Sequence, residues 1–241
     1  MRWAAVVVAA GRGARFGRPK QFLELAGLPM VGWSIRRFAG MPEIEELIVA
    51  TEPECLEQMC ALVSRLAPDR AAHVVRGGRS RQGSVYEGLM AVSPQIEAVL
   101  VHDGARPLVG ASDVRAGMRE VREGRAALLA APVVDTIKVV EAQSRRVETT
   151  LDRRTLWAAQ TPQFAMAAEL RGAHERARRE GIAVTDDASL LERAGIEVVI
   201  VPATSENFKV TLPADIVRAT VILSEATLRE RSEAKWSAVE G

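Results

Sequence analysis

Short apolar runs alternate along the chain with stretches that carry apolar residues at helical spacing. The apolar runs, bounded by Gly, Pro or charge, are Ala4–Ala9, Leu47–Ala50, His73–Val75, Ala98–Val101, Ala126–Ala131 and Glu197–Val201. The helical stretches are Met30–Phe38, Glu54–Leu66, Gln82–Val92, Asp113–Glu123, Met166–Glu180 and Asp187–Arg193. Because the apolar runs lack strict alternation, they favour strands that are covered on both faces. The pattern predicts an α/β fold with a mostly parallel sheet.

Two segments depart from this pattern. Residues 133–154 contain two β-type runs around a polar turn near residues 143–146. They predict a hairpin arm inserted between a core strand and the next helix. Because a hairpin is marginally stable alone, we expect the arm to pack on a partner. From Ser224 the sequence is charged and helical, so we expect one domain over residues 1–223 and a charged helical tail over 224–241.

Composition and charge exclude several classes of protein. Of 241 residues, 32 are Lys or Arg and 31 are Asp or Glu, and 48% are hydrophobic, which excludes a disordered chain. A net charge of +1 and 4% aromatic residues give no sign of nucleic-acid binding. The longest apolar run, Trp3–Ala10, is far shorter than the roughly 20 residues that span a bilayer. Cys55 and Cys60 lack zinc-type spacing. We expect a cytoplasmic protein with reduced, buried or half-buried thiols that binds neither nucleic acid nor membranes.

The first candidate site is a glycine loop after the first predicted strand, with the sequence AAGRGARFGRPK at residues 9–20. Its glycines let backbone N–H groups approach a phosphate. The loop also carries four cations, Arg12, Arg15, Arg18 and Lys20. The dinucleotide fingerprint fails because Phe16 stands where a third Gly is required, and no Gly-Lys-Ser/Thr closes a P-loop. The loop suits a polyphosphate. A solvated loop with scattered bases is the alternative.

Three further motifs have both a functional and a structural interpretation. In GGRSRQGSV, the Ser84 hydroxyl could meet a ligand or could cap the following helix. In HDGARP, at the carboxyl end of the fourth strand, Asp103 could hold Mg²⁺ and Arg106 a second anion, or the two could merely tie the loop together. We expect His102 to be packed and not catalytic. Thr185 opens a cluster that contributes to a site or only starts a helix.

These candidates share many cations, one prominent acid and no evident nucleophile. The sequence has no serine nucleophile elbow, no HExxH motif and no Cys/His pair at ligand spacing. A substrate that supplies its own nucleophile would need only alignment and charge stabilisation from such a protein. Phosphoryl and nucleotidyl transfer are reactions of that kind.

Seven segments in order resemble the 2-C-methyl-D-erythritol 4-phosphate cytidylyltransferases of isoprenoid precursor synthesis. They are AAGRGARFGRPKQF, GGRSRQGSV, VHDGARP, APVVDTIK, LDRRTLWAAQTPQF, TDDAS and ENFKVT. The resemblance extends from about Ala4 to the helix after Pro213. It implies a Rossmann-like three-layer α/β/α sandwich with a hairpin arm that builds a homodimer. It also implies a reaction in which CTP and methylerythritol phosphate are joined, with Mg²⁺, and pyrophosphate is released.

The resemblance further implies a role for each matching residue. The implied catalytic residues are Arg15, Lys20, Arg153 and Lys209. The implied nucleotide-binding residues are Ala10, Gly11, Gly13, Lys20, Gly78, Ser84, Asp103 and Gly104. The implied acceptor-binding residues are Asp103, Arg106, Thr136, Arg153, Thr185 and Lys209. Asp103 would also bind the metal, and Thr136 and Arg153 would reach the site of the other subunit.

Three positions depart from the commonest pattern of the family, namely Arg79, Gly83 and Glu206. The first two bear on the cytidine pocket and not on the reaction. Two other functions stay open at this point. One is a nucleotidyltransferase acting on ribitol phosphate or another sugar phosphate, and the other is a non-catalytic nucleotide-binding module.

Overall fold

The computed structural model describes residues 1–11 and 19–237, with side chains as far as Leu228. The strands are β1 (Trp3–Ala9), β2 (Glu24–Leu25), β3 (Leu28–Pro29), β4 (Ile44–Thr51), β5 (Ala71–Arg76), β6 (Ala98–Asp103), β7 (Arg125–Pro132), β8 (Lys138–Val140), β9 (Val147–Thr150), β10 (Trp157–Met166) and β11 (Glu197–Pro202). The helices are α1 (Met30–Ala39), α2 (Leu56–Leu66), α3 (Arg81–Ala91), α4 (Ala111–Glu120), α5 (Ala167–Glu180), α6 (Ala188–Arg193) and α7 (Pro213–Ser237). All six strands and all six helices predicted from the hydrophobic pattern are therefore present.

The core is a seven-stranded sheet in the order β11-β7-β10-β6-β1-β4-β5. Only β10 pairs antiparallel to its neighbours, so the sheet is mostly parallel. Alternate residues of β1 point to opposite faces: Ala5 and Val7 join the core under α1, α2 and α4, whereas Ala4 and Val6 join the core under α3, α5 and α6. This arrangement confirms the predicted three-layer α/β/α sandwich.

β10 corrects the prediction that a helix follows the arm. The arm is present as the antiparallel pair β8 and β9, but the next element is a strand that lies between β6 and β7. Sequence reasoning missed β10 because Pro162 lies inside it, and a proline argues against a central strand. The sheet accommodates Pro162 because the pairing of β10 with β7 is interrupted between Ala159 and Gln163.

The cysteines depart in part from the sequence prediction. Both cysteines are free, as expected, but Cys60 is exposed because the buried positions of α2 are Met59, Leu62 and Val63. The residues assigned to the tail are helical as far as Ser237 and continue α7. The domain boundary at residue 223 stays a prediction. Over the residues that the structure describes, no helix is both long and apolar enough to cross a bilayer.

The strand order places the candidate site. The chain proceeds from β1 to β4 and β5 on one side, and then returns to place β6 on the other side of β1. The carboxyl ends of β1 and β6 therefore flank the point where the strand order reverses, which is where open α/β sheets bind ligands.

Candidate active site

Two cavities open at this edge of the sheet and meet at three charged residues. The glycine-loop cavity, about 170 Å³, is lined by Val8, Ala9, Ala10, Gly11, Lys20, Gln21, Met30, Arg81, Asp103, Gly104, Ala105 and Lys209. The Thr185 cavity, about 230 Å³, is lined by Arg81, Asp103, Arg106, Ala159, Gln160, Thr161, Gln163, Thr185, Asp186 and Lys209. Arg81, Asp103 and Lys209 line both cavities, and we call these three residues the junction.

Asp103 is the centre of the junction. It ends β6, is 7% exposed, and accepts a hydrogen bond from each of two cations. Arg81 Nε lies 2.9 Å from Oδ1 and Lys209 Nζ lies 2.7 Å from Oδ2. Burial raises the pKa of this carboxyl, but the charges and hydrogen bonds of Arg81 and Lys209 outweigh burial and hold the pKa well below its usual range. Asp103 is therefore a buried carboxylate that stays ionised at neutral pH.

The Arg106 guanidinium does not pair with the Asp103 carboxylate, so the loop-tying side-chain pair considered in the sequence does not form. The two residues are joined through the main chain instead, where the Arg106 N–H donates to the Asp103 carbonyl at 2.9 Å. Arg106 Nη1 donates to the main-chain oxygen of Asn207 at 2.8 Å, and its Nε has no partner among the described residues. The Asn207 side chain in turn donates to Gln160 Oε1 and to the Thr161 carbonyl. These contacts join the loop after β6 to the loop after β11, beside the Thr185 cavity.

The start of α3 lies behind the glycine-loop cavity. Ser80, not Ser84, caps the helix by accepting from the Gly83 N–H at 3.0 Å. The buried Ser84 hydroxyl donates to the Ser80 carbonyl at 2.9 Å. A Cβ at Gly77 would lie 2.3 Å from the Ala10 Cβ, so this turn requires glycine in order to pack against the loop after β1.

Lys20 enters the glycine-loop cavity from a short 3₁₀ helix, Lys20–Phe22. Its ammonium donates to the Val210 carbonyl at 3.1 Å, next in the chain to Lys209. The segment after β11 thus connects the cation that follows the glycine loop with a cation of the junction.

Most of the residues proposed from the sequence lie around the two cavities. Those lining a cavity are Ala10, Gly11, Lys20, Asp103, Gly104, Arg106, Thr185 and Lys209. Gly78 and Ser84 lie behind the glycine-loop cavity and are not among the described residues that line it. Thr136 and Arg153 are exposed on the arm and line neither cavity. Gly13 and Arg15 lie outside the described residues, so their assignment stays a prediction.

Sequence reasoning missed Arg81, Asp187 and His174. Arg81 Nη1 donates to Asp187 Oδ2 at 2.9 Å, and His174 Nε2 is 3.0 Å from Asp187 Oδ1. Arg81 lies inside the GGRSRQGSV motif, where its positive charge is the signal that could have found it. His174 carries no sequence signal because it occupies a buried position in an ordinary amphipathic helix.

A larger cavity, about 520 Å³, lies elsewhere and is bordered by residues of α1, α4 and α7 such as Trp33, Arg115 and Leu223. None of the three junction residues lines it. Converging charges and position at the strand ends therefore favour the two smaller cavities as the active site.

Comparison with known proteins identifies the family of this chain. Residues 3–225 match the family profile described as 2-C-methyl-D-erythritol 4-phosphate cytidylyltransferase. A protein of that name from Halalkalibacterium halodurans is 39% identical over 231 residues, covering 95% of this chain and 100% of the relative. One from Pelotomaculum thermopropionicum is 41% identical over 223 residues, covering 91% of this chain and 93% of the relative.

Solved structures give the same result. The 4-diphosphocytidyl-2C-methyl-D-erythritol synthase of Anaerococcus prevotii superposes with a TM-score of 0.83 at 26% identity, covering 92% of this chain and 98% of that one. The 2-C-methyl-D-erythritol 4-phosphate cytidylyltransferase of Thermus thermophilus has a TM-score of 0.73 at 32% identity, covering 90% and 97%. The chain therefore belongs to the 2-C-methyl-D-erythritol 4-phosphate cytidylyltransferase family of nucleotidyltransferases.

Proposed function

We propose that the chain joins CTP and 2-C-methyl-D-erythritol 4-phosphate at the junction, giving 4-diphosphocytidyl-2-C-methyl-D-erythritol and pyrophosphate. The observation that carries this assignment is that Arg81, Asp103 and Lys209 line both cavities. CTP would occupy the glycine-loop cavity and the acceptor the Thr185 cavity. The reacting phosphates of the two substrates would then meet at the junction.

The chemistry of the step needs alignment and positive charge. An oxygen of the acceptor phosphate forms a bond to the α-phosphorus of CTP, and the bond from that phosphorus to the oxygen bridging to the β-phosphorus breaks. The electron pair leaves with pyrophosphate. Because the acceptor phosphate is already ionised near neutral pH, no general base is required. Lys20 and Lys209 would stabilise the charge on the phosphates, and Arg106 and Thr185 would hold the acceptor.

We further propose Asp103 as the protein ligand of a divalent cation. No group of three or more His, Cys, Asp or Glu side chains able to hold a metal occurs in residues 1–11 and 19–228. The junction nevertheless fits Mg²⁺, which binds to one or two carboxylates and completes its shell with water and substrate phosphates. Each Asp103 oxygen accepts one hydrogen bond and keeps a lone pair. Bound there, the ion would neutralise phosphate charge.

We propose a homodimer joined through the arm. Several apolar side chains of the arm and its flanks are exposed in the single chain, namely Val134, Val140, Val147, Leu151 and Trp157. Burial of such side chains against a second copy would be favourable. Thr136 and Arg153, which line neither cavity of their own chain, would then be available to the site of the partner.

Pyrophosphate release tests the activity. The purified chain is assayed with CTP, Mg²⁺ and, in separate reactions, methylerythritol phosphate, ribitol 5-phosphate and a hexose 1-phosphate. We expect release with methylerythritol phosphate and little with the other acceptors. Preference for ribitol 5-phosphate would overturn the assigned acceptor, and CTP binding without release would indicate a binding module.

A further inference from the structure

Arg81 is held at the junction by two carboxylates from different parts of the fold. It is the first residue of α3. Its Nε donates to Asp103 at the end of β6, and its Nη1 donates to Asp187 at the start of α6, both at 2.9 Å. Burial disfavours the charged guanidinium, but Asp187 and Asp103 outweigh burial and raise the pKa of Arg81 above its usual value. The orientation of the guanidinium plane is therefore fixed before any ligand binds.

A buried pair of residues supports this arrangement from behind. Asp187 lines neither cavity as described, and both Asp187 and His174 are at most 2% exposed. One oxygen of Asp187 accepts from Arg81 and the other lies 3.0 Å from His174 Nε2. Among the described residues, Asp187 therefore influences the two cavities indirectly, because it pairs with Arg81 and Arg81 lines both of them.

The third nitrogen of the Arg81 guanidinium, Nη2, does not take part in the hydrogen bonds to the two carboxylates. Nη2 of Arg81 is buried and has no hydrogen-bond partner among the described residues. A buried donor without a partner destabilises the protein, so such a group is normally satisfied by a ligand or by water. Arg81 lines both cavities, and a phosphate oxygen at the junction is the acceptor that suits a guanidinium best.

We propose that Arg81 is a further catalytic residue, which binds the reacting α-phosphate of CTP through Nη2. Asp187 and His174 are positioning residues that hold its guanidinium. This inference rests on the proposed function. Arg81 and Lys209, which pair with the two oxygens of Asp103, would then both contact the α-phosphate that is transferred. The negative charge of Asp103 holds the two cations close to each other.

Sulfur substitution at the α-phosphate tests this contact. The turnover of CTP is compared with that of each diastereomer of CTP α-thiophosphate, in the wild type and in Arg81→Ala. We expect Arg81→Ala to lower kcat by about 10²–10³-fold, the scale for the loss of one transition-state donor. We also expect the penalty for sulfur to shrink at least fivefold for one diastereomer, because the oxygen that it replaces no longer meets Arg81. Arg65→Ala, at an exposed position of α2, is the matched control and should leave kcat and both sulfur penalties unchanged.

The remaining outcomes separate a contact role from a structural one. If Arg81→Ala loses activity with both sulfur penalties unchanged, Arg81 acts only by holding Asp103, and the inference is wrong. If Arg81→Ala does not fold, Arg81→Lys replaces it; we expect at least a tenfold loss of kcat because lysine lacks the planar fork, and full activity would overturn the inference.

Asp187→Asn should shift the same sulfur penalty in the same direction, whereas no shift would remove Asp187 from the positioning role. An inactive wild type would instead refute the proposed function.

Discussion

The imidazole of His102 connects the main chain of Arg106 to the hydroxyl of Thr161. His102 Nε2 lies 3.0 Å from the Arg106 carbonyl oxygen, and Nδ1 lies 3.1 Å from Thr161 Oγ1. The Arg106 carbonyl oxygen can only accept, so Nε2 carries the ring hydrogen and donates to it. In the neutral ring Nδ1 is then an acceptor, so the Thr161 hydroxyl donates to Nδ1 while it accepts from the Asp103 N–H at 3.0 Å. One neutral side chain thus fixes the backbone around both Asp103 and Arg106.

This arrangement predicts a pH-dependent contribution of His102 to stability. Burial lowers the pKa of His102 to about 4, whereas histidine in the unfolded chain titrates near 6.5. As the pH falls from 6.5 towards 4, the unfolded state binds a proton first, so stability is lost over that window. The loss attributable to His102 between pH 7.5 and pH 5 is roughly 2 kcal/mol.

His102→Gln keeps a polar side chain but does not titrate in this range. We expect it to be less stable than the wild type by about 1–3 kcal/mol at pH 7.5, because buried partners lose their hydrogen bonds. The difference in unfolding free energy from the wild type should shrink at pH 5. Urea unfolding at the two pH values measures both quantities. A stability difference that stays constant with pH would show that His102 is not protonated on unfolding.

The ion pair of Lys209 with Asp103 predicts a change in the pH profile of the reaction. Lys209→Met removes one of the two cations that lower the pKa of Asp103, so that pKa should rise. Activity should then be lost at a higher pH on the acid side than in the wild type. We also expect kcat at pH 8 to fall by about 10²–10³-fold. Rates of pyrophosphate release from pH 4 to 8 test this, with Arg65→Met as the control; an unmoved acid limb would contradict it.

Gly77 lies where the turn after β5 packs closely against the loop after β1, so a larger side chain at this position should disturb the glycine-loop cavity. The Gly77 N–H donates to the Thr51 carbonyl at 2.7 Å, and an added Cβ would lie 2.3 Å from Ala10 and 2.9 Å from Ser84 Oγ. Gly77→Ala should therefore displace the wall of the glycine-loop cavity and lower kcat/KM for CTP by about 10²-fold. Steady-state kinetics with varied CTP measure this effect.

Gly172 provides the matched control for Gly77. It lies in α5 with no heavy atom within 4 Å of an added Cβ. Gly172→Ala should leave kcat/KM unchanged and stabilise the protein by about 0.5–1 kcal/mol, because alanine restricts the unfolded chain and favours helix. Equal kinetic effects of the two variants would show that the close approach at Gly77 has no role in CTP binding.

The hydrophobic pattern predicted the layers of this fold because the spacing of buried apolar residues along each segment indicates whether that segment is a strand or a helix. β1 shows this: a run of small and branched apolar residues is suited to a strand covered on both faces. β10 was not predictable in the same way, since Pro162 opposes a strand and only the pairing with β6 and β7 overrides that local preference.

The site was predictable to the extent that its residues sit at strand ends in recognisable motifs. Asp103 and Arg106 follow β6, and their place at the sheet edge follows from the strand order. The bond between Arg81 and Asp187 was not predictable, because 106 residues separate the two positions and neither position specifies the other. Such a pair follows only from the tertiary packing, in which α5 contacts both α3 and α6.

Asp103→Asn tests the proposed metal ligand. The substitution keeps the shape of the side chain but removes its negative charge, and a neutral amide is a weaker ligand for a hard cation. We expect lower kcat and a several-fold higher Mg²⁺ concentration at half-maximal activity. Titration of Mg²⁺ at fixed, saturating substrates measures this. Reduced kcat with an unchanged Mg²⁺ requirement would instead assign Asp103 to holding Arg81 and Lys209.

The arm predicts that two subunits share each site. Arg153 Nη1 donates to the Val134 carbonyl at 2.7 Å, which ties the two ends of the arm together on the exposed surface. Arg153 lines neither cavity of its own chain, whereas Lys20 lines the glycine-loop cavity. If the arm serves the partner, Arg153 acts in the site of the neighbour and Lys20 acts in its own.

Mixing two inactive variants, Arg153→Ala and Lys20→Ala, distinguishes these arrangements. In a two-fold dimer that exchanges subunits at random, about half of the dimers are mixed, and each mixed dimer has one intact site and one doubly damaged site. Activity should therefore return to about a quarter of the wild-type value. Native mass spectrometry verifies that mixed dimers form. If mixed dimers form without any recovery, Arg153 acts in its own subunit, because each site would then keep its own defect after exchange.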